Sequence, residues 1–205
     1  MLNVFEQAGY TIDKKVLNAW DYGVPQKRER LITIGIQDDL KKLLHFHFLK
    51  SMIINLCLEI FCLIVLRDQV FHMVRKIFEL VPPGGYWKDI DPAIAKEYMK
   101  SCWNMEGGRT GILRRMSLDE PSLTVLTSPS QKQNERCHPL EARPFTVRDN
   151  TRCQTFLDDW EFCGNISSQY KQVGNVVPVN LAYEIAEEIS KSLDMVCETE
   201  KMRGI

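Results

Sequence analysis

Between Leu181 and Leu193 apolar residues recur every three or four positions: Leu181/Ala182, Ile185/Ala186, Ile189 and Leu193. That period lays one apolar stripe along a helix. Glu184, Glu187, Glu188 and Lys191 fall mostly on the other side. Pro178 stands where the helix begins, in the first turn, which needs no proline N–H. Immediately before it, Gln172-Val-Gly-Asn-Val-Val-Pro178 reads as a tight turn. Gly174 adopts a positive φ at little steric cost there, and Asn175 tolerates turn geometry while offering an amide.

The same reading extends along the chain. Residues 2–9 form the end of an amphipathic helix stopped by Gly9. Residues 15–20 and 31–36 alternate or run apolar as two strands, the second suited to a buried place in a sheet. Arg28 and Arg30, in the connection between them, project from one side of an extended segment; an exposed basic loop is the plainer alternative. Residues 91–104 read as a helix with Pro92 early and Ile94, Tyr98 and Trp103 among its apolar positions. Thr146 and Asp149 form a capping-box pattern ahead of a helix over 147–156, and the polar residues 194–205 are expected to fray.

Residues 41–78 break the pattern, being strongly apolar without polar turns. The 43–66 stretch is long enough for a membrane span, but Lys50, Asn55 and Glu59 make it a poor one. A buried helix pair is the alternative.

With 26 basic and 27 acidic residues the net charge is −1, so overall charge announces no polyanion partner. Its distribution does more. Arg109, Arg114, Arg115, Lys132, Arg136, Arg143, Arg148 and Arg152 gather in the middle of the chain, and glycines flank Arg109. Such glycines let backbone approach a phosphate, and Arg114 and Arg115 suit phosphates or guanine edges; an irregular solvated surface is the alternative. Seven scattered cysteines without a Cys-x-x-Cys pair imply free thiols. Cys57, Cys62, His45 and His47 match no established zinc spacing, so no metal is expected. Residues 1–20 show no signal-peptide core, which makes the expected location cytoplasmic.

Three blocks share one resemblance. Tyr22-Gly-Val-Pro-Gln-Lys-Arg-Glu-Arg30 resembles the Gln-x-Arg-x-Arg block of DNA (cytosine-5) methyltransferases of bacterial restriction–modification type. Arg143-Pro-Phe-Thr-Val-Arg-Asp-Asn-Thr-Arg-Cys-Gln-Thr-Phe-Leu-Asp-Asp-Trp160 resembles their penultimate motif, and Gln172-Val-Gly-Asn-Val-Val-Pro-Val179 their last. The order agrees with the family's, over residues 2–38 and 79–193. The resemblance implies the C-terminal part of an α/β, Rossmann-like, S-adenosylmethionine-dependent fold with a small irregular target-recognition domain. It also implies double-stranded DNA as partner. Arg28 and Arg30 then lie beside the flipped cytosine as accessory catalytic residues. Asn175 and Val176 border the cofactor, and Arg109, Arg114, Arg115, Thr124 and Val125 face DNA.

Family chemistry uses a cysteine nucleophile in Pro-Cys-Gln, a glutamate in Glu-Asn-Val and cofactor glycines in Phe-x-Gly-x-Gly. None of these sequences occurs in the 205 residues. The expected layout is catalytic-domain end over 1–40, an atypical segment over 41–78 consistent with a frame shift, recognition region over 79–145, closing helices over 146–193 and a tail over 194–205. S-adenosylmethionine is accordingly expected only together with a chain carrying the absent motifs. An inactive remnant is the alternative, since Asn150, Thr151 and Cys153 replace better helix formers or aliphatics, Leu157 replaces a turn proline, and Leu118 stands where family members often carry an aromatic. A membrane-associated interaction protein is a third reading, resting on 43–66 alone.

Overall fold

The computed structural model describes residues 2–40, 72–104, 106–107, 110–128 and 136–203. The 43–66 stretch, the Cys57/Cys62/His45/His47 set, Lys132 and Arg109 lie outside them. Among the described residues no helix is long and apolar enough to cross a membrane.

Helix α1 (Leu2–Gln7) ends ahead of Gly9, whose φ is +80°. Strands β1 (Tyr10–Asn18) and β3 (Glu29–Gln37) then pair antiparallel from Tyr10 opposite Gln37 to Asn18 opposite Glu29. Both outrun the 15–20 and 31–36 of the sequence pattern because every residue of one finds a ladder partner in the other. Trp20 leaves the strand. The Asn18 Oδ1 accepts from its N–H at 3.3 Å and from the Arg28 N–H at 3.1 Å, closing β1 into the 3-10 turn Ala19–Tyr22.

One face of the hairpin is covered. Leu17, Ala19, Tyr22 and Val24, with Ile32, pack on Leu181 and Ile185 of the closing helix α6 (Val179–Arg203). This is the packing that the three-and-four spacing implies. The opposite face is bare: Val16 and Leu31, directly paired across the strands, are 57% and 61% exposed.

A second core gathers Ile77 and Phe78 of α2 (His72–Leu80) with Val81, Trp87, Ile90, Ile112, Leu113 and Cys137, and with Ala95 and Met99 of α3 (Pro92–Met99). Packing therefore joins residues on both sides of position 79. Asp91 caps α3, its Oδ1 accepting from Ala93 N–H at 2.8 Å, with Pro92 in the first turn. The helix expected over 91–104 divides after Met99: Lys100 takes φ 49° and Lys100–Asn104 continues as a 3-10 turn. That break turns Trp103 edge-on to Trp87, centroids 5.4 Å apart. Strands β4 (Arg114–Arg115) and β6 (Arg136–Cys137) pair in parallel beside this core.

The third core is Met116, Val125, Phe145, Cys153 and Val173. It holds α4 (Val147–Cys153) against α5 (Ile166–Asn175). Both bonds of the Thr146/Asp149 capping box form. The residues that look eroded in α4 have local partners: Asn150 Nδ2 donates to Thr146 O and Thr151 Oγ1 to Arg148 O, each at 2.8 Å.

Two expectations are corrected. Gly174 is not a left-handed turn residue; it lies in the last turn of α5, started by Asn165, whose Oδ1 accepts from Ser168 N–H at 2.8 Å. Glycine is required there because a Cβ would sit 2.7 Å from both Leu126 C and Thr127 N. Residues 194–203 continue α6 rather than forming a separate tail. Within it Thr199 Oγ1 donates to Met195 O at 2.7 Å and Val196 is buried.

Candidate nucleic-acid interface and cofactor rim

Strand β2 (Gln26–Lys27) pairs in parallel with β5 (Ser122–Leu123), which brings the arginine block against the segment leading to Thr124 and Val125. Thr124 Oγ1 donates to Lys27 O at 2.7 Å. Gln26 is fully buried among three partners: its Oε1 accepts from Val125 N–H at 2.8 Å, and its Nε2 donates to Cys153 O and Gln154 Oε1, each at 3.2 Å. Gln154 passes the network on, its Nε2 donating to Val173 O at 2.9 Å.

Arg28 and Arg30 divide. Arg28 is 1% exposed and donates through Nη1 to Val125 O at 3.0 Å, and through Nη2 to Gly174 O at 2.8 Å and Val176 O at 3.1 Å. Burial, and secondarily the charge of Arg30, lower its pKa to about 10. Arg30 is half-exposed and, among the described residues, donates to Glu29 O alone, at 2.6 Å. Of the pair, Arg30 is the one with a guanidinium available to a ligand.

At the end of α5, Asn175 is exposed, Val176 half-buried and Val177 exposed. Val179 N–H donates to Gln154 O at 3.0 Å and Asn180 Nδ2 to Gly23 O at 2.9 Å, which fixes the entry into α6. Asn175 thus presents an exposed amide beside the apolar side chains of Val176 and Val177.

The central arginines mostly serve the fold. Arg115 donates to Pro139 O at 3.3 and 3.2 Å and to Val81 O at 3.0 Å. Arg136 donates to Gly111 O at 3.2 Å; burial, with the charge of Arg114, lowers its pKa to about 10. Arg148 reaches Leu157 O and Trp160 O, and Arg152 pairs with Asp158 through Nε at 2.7 Å and Nη2 at 2.8 Å. Arg114 differs. Among the described residues it pairs with the exposed Glu120 at 3.6 Å, and its guanidinium lies 6.0 Å from the Tyr86 ring centre. Sequence clustering alone does not separate the internal arginines from the available ones.

Arg143 bridges Asp149 and Glu141, both at 2.5 Å. Burial opposes ionisation of Asp149, but hydrogen bonds and charge from Arg143, with the Thr146 donors, hold its pKa below the ordinary carboxylate value. A depressed folded-state pKa contributes stability above the unfolded value of about 3.9, and that stability disappears as pH falls through the folded value. Asp149→Asn is therefore expected to cost about 2–3 kcal/mol at pH 7 by breaking a mostly buried pair and a cap, with the difference from wild type shrinking below pH 4. Urea denaturation at pH 7 and pH 3, on the chain co-expressed with the N-terminal half of a relative, checks it; a cost independent of pH would contradict the assignment.

The model of the C-5 cytosine-specific DNA methylase family matches residues 1–191. The chain belongs to that family. The type II methyltransferase M.Sau96I of Staphylococcus aureus is 46% identical over 194 residues, covering 92% of this chain and 45% of that protein. M.Eco47II of Escherichia coli is 42% identical over 205 residues, covering 95% and 49%. The chain thus spans about half the length of the relatives it matches. Among solved structures, the S. pombe Dnmt2 methyltransferase aligns with TM-score 0.58 at 13% identity, over 93% of this chain and 60% of that one. Entamoeba histolytica methyltransferase EhMeth aligns with TM-score 0.54 at 15% identity, over 94% and 57%. These likenesses establish the mixed α/β methyltransferase fold expected from the motifs.

Proposed function

We infer that this chain supplies the target-recognition segment and one rim of the S-adenosylmethionine pocket for methyl transfer to C5 of cytosine in double-stranded DNA. The observation that carries it is the joint at Gln26 and Arg28, where the arginine block, the Thr124–Val125 segment and the end of α5 at Gly174 and Val176 meet within hydrogen-bond distance. Thr124 and Arg30 are assigned to the base and Arg114 to recognition contacts; Val125, expected to face DNA, is instead 5% exposed in the third core with its N–H and C=O held by Gln26 and Arg28, so it serves the joint and not the base. Asn175 and Val176 suit the cofactor, since an exposed amide beside apolar carbons matches a ligand with polar and apolar parts. The cofactor, when bound, supplies an electrophilic methyl group; the residues here orient and enclose. A nucleophilic cysteine in Pro-Cys-Gln is not among the 205 residues, so the activity is assigned to this chain together with one carrying that motif. Against a decayed remnant stand the complete capping box and the partnered Asn150 and Thr151.

The experiment uses labelled S-adenosylmethionine and mixed-sequence DNA. The chain alone is expected to give no incorporation, and the chain co-expressed with the N-terminal half of a relative to give incorporation. Label transfer by the chain alone, or none by the pair, overturns the reading. In the active pair, Arg30→Ala should lower methylation more than DNA binding. Arg114→Ala should weaken binding and reduce its logarithmic salt slope by about 1. Equal loss of binding in both variants contradicts that division.

A further inference from the structure

Arg28 faces no carboxylate among the described residues; its hydrogen-bonded partners are three backbone carbonyls. They come from two distant segments. Val125 lies in the recognition region, whereas Gly174 and Val176 bracket Asn175 at the rim. A guanidinium fork meets carbonyls on separate nitrogens, which a single ammonium cannot reproduce. Two further features act at the same joint. Gln26 holds the Val125 N–H while it also holds Cys153 and Gln154. The missing side chain of Gly174 lets Leu126 and Thr127 backbone press directly on α5.

We propose that Arg28 is a positioning residue that ties the recognition segment and the cofactor rim into one rigid body, so that the separation between Val125 and Asn175–Val176 is constant. The block's two arginines then have different tasks: Arg30 is available to substrate, and Arg28 keeps the two sides of the site in register. Among the described residues its charge meets carbonyl dipoles rather than a counter-ion, consistent with a pKa lowered by burial. The catalytic consequence rests on the methyltransferase reading above; the mechanical coupling does not.

The test is amide hydrogen exchange on the full chain, in whichever preparation, alone or co-expressed, unfolds cooperatively. Arg28→Lys is expected to speed exchange at Val125 and Val176 together, by about tenfold, as loss of a charged hydrogen bond implies. Ala95, bonded to Asp91 O in a different core, should not change. Thr124→Val removes the Thr124–Lys27 bond in the same segment and should leave Val176 unchanged. Release of only one segment by Arg28→Lys, or of both by Thr124→Val, overturns the coupling. If Arg28→Lys does not fold, Gly174→Ala perturbs the joint from the other side, and Val125 must respond or the coupling is refuted. In the active pair, Arg28→Lys should lower kcat about tenfold with KM for DNA within about twofold, because alignment and not contact is lost. An unchanged kcat with both amides released refutes the positioning role. A wild-type pair that transfers no methyl group counts against the proposed function, while the exchange result still decides the coupling.

Discussion

Expressed by itself, the chain is expected to aggregate or to unfold without a sharp transition, and co-expression with the N-terminal half of a relative is expected to restore one cooperative melt. The reason lies in two bare faces. Val16 and Leu31 are exposed on the hairpin, and Ile189 and Leu193 of α6 are 38% and 48% exposed although they continue the stripe that buries Leu181. Full burial of an aliphatic side chain is worth roughly 1.5–3 kcal/mol, so about half-exposure at each of four sites forgoes about 1 kcal/mol apiece. The sum, ~4 kcal/mol, is most of the margin of a domain at the lower end of the ~5–15 kcal/mol range. Among the described residues β1 and β3 form a sheet of only two strands, leaving their outer backbone groups unpaired and open to association with other chains. Light scattering and calorimetry on the two preparations decide it. A soluble monomer with a single sharp transition would show that these faces are already covered.

Gly174→Ala is expected to destabilise the co-expressed protein by about 2–3 kcal/mol, as overpacking against immovable neighbours does. The new methyl carbon would meet only backbone: Leu126 C and Thr127 N at 2.7 Å and Leu126 O at 2.8 Å. Relief requires moving the recognition segment away from α5, which also lengthens the Arg28 bonds to Gly174 and Val125. Gly35→Ala is the control. Its Cβ would meet the end of the Ile12 side chain at 3.1 Å, which a rotamer change relieves, so a loss below ~1 kcal/mol is expected. Equal midpoints in denaturant for the two variants would refute the backbone-contact explanation.

Local chemistry was legible where it is carried by neighbours in sequence. Gly9 stopping α1, Asp91 with Pro92 starting α3, and Thr146 with Asp149 starting α4 all act within one turn of helix, so short-range patterns determine them. The stripe from Leu181 identified the face of α6 that meets Leu17 and Val24. The three motif blocks identified the family, because their spacing reflects segments that must converge.

Tertiary structure decided what depends on which segments meet. Gly174 reads from the sequence as a turn glycine, and only the nearness of Leu126 and Thr127 shows that close backbone approach is what requires it. Arginines likewise read alike along a chain. Whether a guanidinium points outward or satisfies buried carbonyls depends on unpaired backbone acceptors contributed from far away: Val125, Gly174 and Val176 for Arg28, Val81 and Pro139 for Arg115. A buried carbonyl needs a donor as much as a buried charge needs partners. The sequence alone therefore determined the family and the starts of α3 and α4. Folding determined which of its charges hold the molecule together and which remain at the surface.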